Sequence, residues 1–313
     1  MADYVKLKDE SDEGSSSRSS RQPRRRFRFG IGTFILIFLG FLIVSSIISS
    51  AIYSVTPKVA VVPISGPLMT QESATLFGYA QSSRSISNTI RELANDNSVR
   101  AIVLDINSGG GSPVASEEIS RAIEFARESK PVYALINDVG ASGAFWIAVS
   151  ADKVFASSMS TTGSIGVTSA GLTFENFIED YNITYRRLVS GEQKDMGSIF
   201  RELTTEEEFK IQGILDEVHE LFISHVASSR NLSFDYVSEY ATGEIFLGST
   251  ALNAGFIDEI GYYPDVMEYV IQEHGDLMEV RFGPRVTVFD LLGVSTFLSQ
   301  IYPLSQPSIL LVN

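Results

Sequence analysis

The sequence has 313 residues, of which 44% are hydrophobic, and a formal net charge of −14 at pH 7. It contains no cysteine, which excludes disulfides, thiolate metal sites and a cysteine nucleophile. The charge is uneven, because residues 58–313 hold 16 basic and 33 acidic side chains, a net charge of −17. Such a surface repels nucleic acid and anionic lipid, so we expect no nucleic-acid partner and a domain suited to peptides or other neutral to cationic ligands.

The first 57 residues divide into a polar tail and an apolar segment. Residues 1–28 are rich in serine and arginine and end in a basic cluster, which predicts a disordered cytoplasmic tail. Residues 29–57 carry no charged side chain and are long enough to cross about 30 Å of hydrocarbon as a helix. Because the arginines precede this segment, we expect a cytoplasmic N-terminus and an extracytoplasmic domain over residues 58–313.

A cleaved signal peptide is the alternative interpretation of the apolar segment. Ser49, Ser50 and Ala51 supply small residues where a peptidase could cut. The segment is nevertheless longer than the roughly 7–15 apolar residues typical of a signal peptide. We therefore favour a retained anchor, which predicts a single-pass protein of the cell membrane.

Beyond residue 57, short β-branched runs alternate with longer amphipathic runs. The pattern predicts strands at residues 59–64, 101–106, 132–136, 153–156 and 184–188. It predicts helices at residues 85–94, 114–129, 143–150, 174–181 and 204–230. Strands and helices in alternation indicate an α/β fold with a mainly parallel sheet covered by helices. Two prolines interrupt the apolar run at residues 286–313, so no second membrane crossing is expected.

A serine flanked by small residues lies where a predicted strand turns into a predicted helix. Gly140, Ala141, Gly143 and Ala144 surround Ser142, which allows a sharp turn and leaves the hydroxyl uncrowded. The start of a helix supplies unpaired N–H groups and a partial positive potential, which stabilise the anion formed when a serine attacks a carbonyl. The pattern makes Ser142 a candidate nucleophile, and an ordinary N-cap serine is the alternative.

Three consecutive glycines follow the predicted strand at residues 101–106. They lie within residues 107–112, just before a predicted helix, where backbone N–H groups can point into a cleft. The segment lacks the lysine of a phosphate-binding loop and the GxGxxG spacing of a dinucleotide site. An oxyanion hole paired with Ser142 remains, because neighbouring parallel strands end at one crevice. A glycine-rich turn without chemistry is the alternative.

The base that such a serine needs is not expected to be a histidine. His219, His225 and His274 all lie outside glycine-rich segments, and the first two are off the spacing of a metal-binding pair. Lys194 lies in a loop flanked by glycines. A lysine acts as a general base only where burial or positive potential lowers its pKa. A solvated lysine is the alternative for this loop.

Four ordered segments resemble the signal peptide peptidase A family of membrane-anchored serine proteases. Residues 107–118 resemble the family's NSPGGS/T-VxASEEI stretch, and residues 138–144 resemble its nucleophile segment. Residues 157–167 resemble the TGSIGV segment, and residues 190–201 the SGxxKD lysine segment. The single short copy of the domain is similar to the half-length members of that family.

The resemblance implies a Ser/Lys dyad. Ser142 would be the nucleophile, Lys194 the general base and Ser164 the residue that holds the lysine. Gly110 and Gly143 would supply the N–H groups of the oxyanion hole. The resemblance further implies a crotonase-like (Clp protease-type) α/β fold of repeated ββα units, with no metal or cofactor. We expect Lys194 to be largely buried in the assembled enzyme, since desolvation keeps an amine neutral.

One position departs from the family pattern, because Gly109 stands where the family has proline. A shift of the loop by one residue would make Gly111 the oxyanion donor instead of Gly110. The resemblance also implies the partners: signal peptides left in the membrane as substrates, lipid around residues 29–57, and further copies of the chain in a homo-oligomer.

Two other classes of function stay open at this stage. An acyl-CoA hydratase would use the oxyanion hole without a serine nucleophile, with acid and base drawn from Glu117, Glu118, Glu192 and Asp195. A non-enzymatic scaffold would need none of these groups. The membrane anchor, the serine and the lysine favour the protease.

Overall fold

The structure is a computed structural model that describes residues 34, 36, 38–46, 56–71, 73–75, 78–282 and 309–310. The chain divides into two compact units, Met1–Tyr53 and Ser54–Asn313. In the first unit, residues 38–46 form a helix, α1. Within the described residues, no helix combines the length and the hydropathy needed to cross a membrane. The predicted tail at residues 1–28 and most of the predicted membrane helix at residues 29–57 lie outside the described residues.

The second unit alternates strands and helices. Its strands are β1 (Lys58–Ser65), β2 (Leu68–Met69), β3 (Ser73–Thr75), β4 (Gly78–Ser82), β5 (Val99–Ser108), β6 (Val132–Ala141), β7 (Lys153–Ala156), β8 (Thr161–Gly163), β9 (Ile245–Leu247), β10 (Glu259–Ile260), β11 (Met278–Phe282) and β12 (Ile309–Leu310). Its helices are α2 (Ser83–Asn95), α3 (Pro113–Arg127), α4 (Gly143–Val149), α5 (Glu175–Asp180), α6 (Thr205–Arg230), α7 (Phe234–Tyr240), α8 (Gly248–Asn253) and α9 (Tyr263–His274).

The main sheet is mostly parallel, as the alternating pattern predicts. Its strands lie in the order β10-β7-β6-β5-β1-β11-β12. Every neighbouring pair along this path is parallel except β11 with β12. A small second sheet has the order β2-β4-β3. The predicted α/β class is therefore confirmed.

The central strands are buried on both faces, which explains why β1 reads as a nearly continuous apolar run. Alternate residues of β1 divide between two cores. Ala60 and Val62 belong to the core shared with α2, α3 and α4, whereas Val59 and Val61 pack in the core that contains α9. The sheet lies between helical layers and forms a rigid base for the loops at the ends of its strands.

Strand β6 reaches beyond the strand next to it. Its first half pairs with β7 and its last three residues, Val139 to Ala141, pair with β8 instead. Strand β8 in turn pairs antiparallel with β9. The end of β6 therefore has a different neighbour from its first half within the same sheet, and the residue that follows it is Ser142.

Most predicted elements are confirmed, and one is wrong. The structure contains the first four predicted strands and all five predicted helices, within one to three residues at most ends. The predicted strand at residues 184–188 is absent, because residues 183–189 are exposed and irregular. No described strand pairs with them, and β-branched or aromatic residues favour a strand only where neighbours pack on it. The predicted loop at residues 157–167 contains the short strand β8.

Candidate active site

Ser142 occupies a strained turn between β6 and α4. Its backbone has φ 52° and ψ −127°, which non-glycine residues rarely adopt. The turn is held by hydrogen bonds from Ser142 N to the Gly163 carbonyl, 2.8 Å, and from Trp146 N to the Ser142 carbonyl, 3.0 Å. The Ser142 hydroxyl makes no capping hydrogen bond to the helix. The N-cap alternative is therefore not realised, and the hydroxyl stays available.

The glycine loop lies against this turn. A Cβ built on Gly110, which has φ 92°, would lie 2.5 Å from the backbone nitrogen of Gly143. Only glycine fits here, because both the conformation and the space exclude a side chain. Gly143 is the first residue of α4, and such N–H groups have no partner within the helix.

The two candidate oxyanion glycines of the loop differ in what their N–H groups do. Gly110 N donates to the Ser108 hydroxyl at 3.0 Å. The flanking groups are also used, because Leu68 N donates to the Gly110 carbonyl and Ser112 N donates to the Leu68 carbonyl. The Gly111 N–H has no hydrogen-bond partner among the described residues. Gly111, unlike Gly110, faces the cavity beside Ser142.

A cavity of about 410 Å³ opens beside Ser142, between α4 and α6. Ser164 lies in its wall, so two of the predicted site residues share one cavity. Ser164 has φ 52° and donates its N–H to the Glu244 carbonyl at 2.8 Å. The remaining wall combines apolar and polar side chains from α3, α4, α6 and the segments after β8 and α7. The residues that form it include Ser116, Trp146, Val167, Gln212, Leu215, Asp216, Val218, His219, Phe222 and Thr242.

Lys194 does not join Ser142 within one chain. It is exposed, lies in a series of turns after α5, and is not among the residues that line the cavity. Its backbone N–H donates to the Gly191 carbonyl at 3.1 Å. Across the described residues, the Lys194 ammonium makes no hydrogen bond or ion pair.

His219 and Trp146 line the cavity although their sequence positions gave no indication of it. The Nε2 atom of His219 and the Nε1 atom of Trp146 are buried and lack a hydrogen-bond partner. Both residues lie on helices whose amphipathic pattern predicts a core-facing side but not a cavity. Among the described residues, no group of three or more histidine, aspartate or glutamate side chains is arranged to hold a metal ion.

Behind the cavity, His225 stacks on Trp146. The ring centroids are 4.2 Å apart and the ring planes differ by 6°. His225 Nε2 lies 3.1 Å from the Ser150 hydroxyl and 3.1 Å from the Trp146 carbonyl. Burial lowers the pKa of His225 below its usual value, so the ring is held neutral in the folded protein.

This burial predicts that the folded protein loses stability as the solution becomes acidic. The unfolded chain binds a proton at His225 below about pH 6.5, whereas the folded chain resists it. The free energy of unfolding is therefore expected to fall as the pH drops from 7.5 through 6.5 to 5. Urea unfolding at several pH values, followed by the fluorescence of Trp146, the single tryptophan, measures this. His225→Phe keeps the ring stack and should flatten the dependence, and an equal slope in both proteins would contradict the assignment.

The predicted site residues lie in a part of the chain that is similar to a known family. Residues 124–276 match the profile of peptidase family S49. The S49 match contains Ser142, Ser164 and Lys194 and begins after the glycine loop.

Several individual proteins to which the chain is similar are named as proteases or peptidases. A candidate protease of Methanocaldococcus jannaschii is 34% identical over 185 residues, 59% of this chain and 60% of that protein. A candidate signal peptide peptidase of Enterococcus faecium is 31% identical over 220 residues, 69% of this chain and 63% of that protein. Protease 4 of Haemophilus influenzae is 33% identical over 252 residues, 79% of this chain and 40% of that protein. The chain thus spans 60–63% of the length of the first two relatives.

Proposed function

We propose that the protein is a membrane-anchored serine endopeptidase with a Ser/Lys dyad. The observation that carries the proposal is the conformation and surroundings of Ser142. Its hydroxyl is uncapped, its backbone is held in a strained turn, and a cavity opens beside it. Such strain at a serine between strand and helix is typical of a nucleophile. Similarity to peptidase family S49 over residues 124–276 supports the same class of reaction.

In the proposed reaction, the Ser142 oxygen attacks the carbonyl carbon of the scissile peptide bond and neutral Lys194 takes the hydroxyl proton. The tetrahedral intermediate carries its negative charge on the former carbonyl oxygen. Backbone N–H groups of Gly111 and Gly143 donate to that oxygen. The protonated lysine then gives its proton to the leaving amine, and water hydrolyses the acyl-enzyme with Lys194 again as base.

We assign the loop donor to Gly111 and not to Gly110, the first expectation from the family pattern. The Gly110 N–H already donates to Ser108, whereas Gly111 lines the cavity and its N–H has no partner in the described part of the chain. Ser164 lines the same cavity. Its hydroxyl can accept a hydrogen bond from a lysine that enters the cavity, or donate one to it. Its proposed role is to hold that lysine.

Because Lys194 is exposed and outside its own cavity, we propose that a second copy of the chain supplies it. The segment that carries it, residues 168–204, exposes many large apolar side chains in the isolated chain. Leu172, Tyr181 and Leu188 are 74%, 67% and 95% exposed. Apolar patches of this kind mark protein contacts. A homo-oligomer would cover this segment and desolvate Lys194, which a neutral amine requires.

We also propose the finer description of the fold, the crotonase-like arrangement of repeated ββα units. Two features support it. Parallel strands β1, β5 and β6 are joined by helices α2 and α3 that pack on one face of the sheet. The end of β6 then pairs with β8, which branches from the main strand order and pairs in turn with β9.

The proposed substrates are signal peptides left in the membrane after secretion. The apolar segment at residues 29–57 would hold the enzyme in the cell membrane, with the N-terminus cytoplasmic and the domain at residues 58–313 extracytoplasmic. Part of the cavity wall is apolar, through Trp146, Leu215 and Phe222, which suits the side chains of a membrane peptide. The relative from Enterococcus faecium is named a signal peptide peptidase, which agrees with this substrate class.

Three of the four carboxylates that a hydratase would use are engaged elsewhere. Glu117 pairs with Arg121 at 2.6 Å, and Glu118 accepts from the Ser83 hydroxyl at 2.5 Å. Asp195 is bound by two arginines. None of these carboxylates lines the cavity at Ser142. The geometry therefore favours a serine nucleophile over paired carboxylates.

The test uses the full chain in detergent micelles with a synthetic signal peptide. Wild type should cleave the peptide and react with a fluorophosphonate probe, and Ser142→Ala should do neither. A CoA thioester serves as the substrate of the rival class, and its turnover without peptide cleavage would refute the proposal. A chain that neither cleaves the peptide nor reacts with the probe would favour a scaffold.

His219→Gln is the matched control within the same cavity wall. The ring makes no hydrogen bond to Ser142, so its loss should cost far less than the roughly 10²–10⁴-fold that removal of a general base costs. The measurement is kcat/KM on the same peptide. A loss in His219→Gln as large as that in Lys194→Ala would make histidine the base and end the Ser/Lys assignment.

A further inference from the structure

Arg201 lies between two carboxylates and binds both. Its Nη1 and Nη2 atoms donate to the two carboxylate oxygens of Glu207 at 2.8 and 2.6 Å. Its Nε and Nη2 atoms donate to the two carboxylate oxygens of Asp195 at 3.1 and 3.2 Å. The Arg201, Asp195 and Glu207 side chains are 17%, 13% and 4% exposed. A guanidinium bound in this bidentate way to two carboxylates has a fixed orientation.

These hydrogen bonds join the loop that carries Lys194 to the start of α6. Glu207 belongs to the first turn of α6 and forms a capping box with Thr204. Asp195 is the residue after Lys194, and its main-chain carbonyl also accepts from Arg201 at 3.2 Å. Hydrogen bonds from Arg201 lower the pKa values of both Asp195 and Glu207 to about 2. Both carboxylates are therefore ionised at any pH where the enzyme would work.

Further contacts pair two acids of this region, Asp195 and Glu206, with basic side chains. Arg187 Nε donates to Asp195 at 2.7 Å, so both oxygens of that carboxylate accept from arginine. Glu206, which accepts from Gln193 of the loop, is paired with Lys210 at 2.5 Å.

The one other acid of the loop, Glu192, has an exposed side chain, and its carbonyl accepts from Arg187. Each buried carboxylate around the loop thus has an arginine partner. Among the described residues, the Lys194 ammonium makes no ion pair.

We propose that Arg201 is the positioning residue for Lys194: it fixes the loop on α6 and withholds the Asp195 carboxylate from the neighbouring ammonium. The inference rests on the proposed function, in which Lys194 must act as a neutral base. Without Arg201, Arg187 still binds one oxygen of Asp195, but the other oxygen loses its arginine partner. A carboxylate oxygen freed next to a lysine favours the protonated form of that lysine. Arg201 therefore serves the reaction by geometry and by charge without touching the substrate.

The activity test measures kcat and KM against pH for the full chain in micelles. Arg201→Gln should lower kcat by about tenfold or more with KM little changed, because the base is misplaced. It should also move the acidic limb of the profile upward by roughly 0.2–0.7 pH units, the effect of one exposed ion pair. Arg201→Lys keeps the positive charge but loses the bidentate guanidinium. It should therefore shift the acidic limb of the pH profile less than Arg201→Gln does.

The double variant Arg201→Gln/Asp195→Asn separates this role from a merely structural one. It lacks the carboxylate whose negative charge would favour the protonated form of Lys194. The acidic limb should therefore return toward the wild-type position. Arg230→Gln is the matched control, because Arg230 lies at the far end of α6 and pairs with Asp258 at 2.6 Å. Its profile should keep the wild-type limb. The proposal would be overturned if the acidic limb of the pH profile did not move in Arg201→Gln. It would also be overturned if the double variant kept the shift.

A second measurement does not depend on activity. Acetic anhydride acylates neutral amines, and mass spectrometry of the modified full chain gives the extent at each lysine. Arg201→Gln should reduce acylation of Lys194 at pH 8 by about twofold to fivefold relative to Lys153, which pairs with Glu259. An unchanged ratio would overturn the role of Arg201. If wild type shows no Ser142-dependent cleavage, the proposed function fails, and the acylation ratio still decides the proposal.

Discussion

Two inactive variants are expected to restore each other's activity when they assemble together. Ser142→Ala should lose about 10³-fold or more of kcat/KM, and Lys194→Ala about 10²–10⁴-fold. A mixed oligomer contains sites with an intact serine from one copy and an intact lysine from the next. With equal amounts, about a quarter of such sites are complete. The expected recovery is therefore about a quarter of wild-type activity, far above either variant alone.

The physical reason is the position of Lys194. In one chain its ammonium is exposed and Ser142 lies in a cavity that Lys194 does not line. Leu215, His219 and Phe222 of α6 form one wall of the cavity beside Ser142. A neighbouring copy is the simplest source of a lysine for that cavity. The exposed apolar residues of the 168–204 segment give the two copies a surface on which to meet.

The measurement is peptide hydrolysis by chains co-expressed at varied ratios with two different affinity tags. If copies exchange dyad residues, activity follows the product of the two fractions and peaks at equal amounts. A control mixture combines wild type with the double variant Ser142→Ala/Lys194→Ala. Its activity should fall with the square of the wild-type fraction. A linear fall, together with no recovery at any ratio, would place Lys194 in the active site of its own chain.

The features that the sequence predicted correctly are those set by local chemistry. Buried parallel strands such as β1 must be apolar on both faces, so their positions are visible as β-branched runs. The sharp turn at Ser142 was predictable because small residues at a strand-to-helix junction allow it. The start of α6 was visible for the same reason, since Thr204 and Glu207 cap it through each other.

Features that depend on distant segments were not predictable. The choice between Gly110 and Gly111 follows from contacts of the loop with Leu68 and Ser108, one of them about forty residues away in sequence. The place of His219 in the cavity depends on how α6 crosses α4, which an amphipathic pattern does not encode. The absent strand at residues 184–188 lacks a partner in the described chain, and a propensity cannot supply one. Each case is a tertiary contact that local sequence does not record.

Gly110→Ala is expected to abolish most of the activity, whereas Gly109→Ala should leave it close to wild type. A Cβ at Gly110 would lie 2.5 Å from the nitrogen of Gly143, one of the proposed oxyanion donors, and the residue has φ 92°. The methyl group must push the donors apart, and loss of one donor costs about 10²–10³-fold in kcat. A Cβ at Gly109 meets nothing within 4 Å and its backbone is unstrained for an L-residue.

The two variants make the same chemical change at adjacent positions of one loop, so their difference isolates the contact with Gly143. The positive φ at Gly110 adds a cost of about 1–3 kcal/mol, less than the roughly 5–15 kcal/mol by which a domain is stable. The Gly110→Ala chain should therefore fold, which a thermal unfolding midpoint checks before kinetics are compared. Its KM should change little, because the donors act on charge that appears only in the transition state. Equal kcat values in both variants would show that the loop does not support the oxyanion, and Ser142 would then need another electrophilic partner.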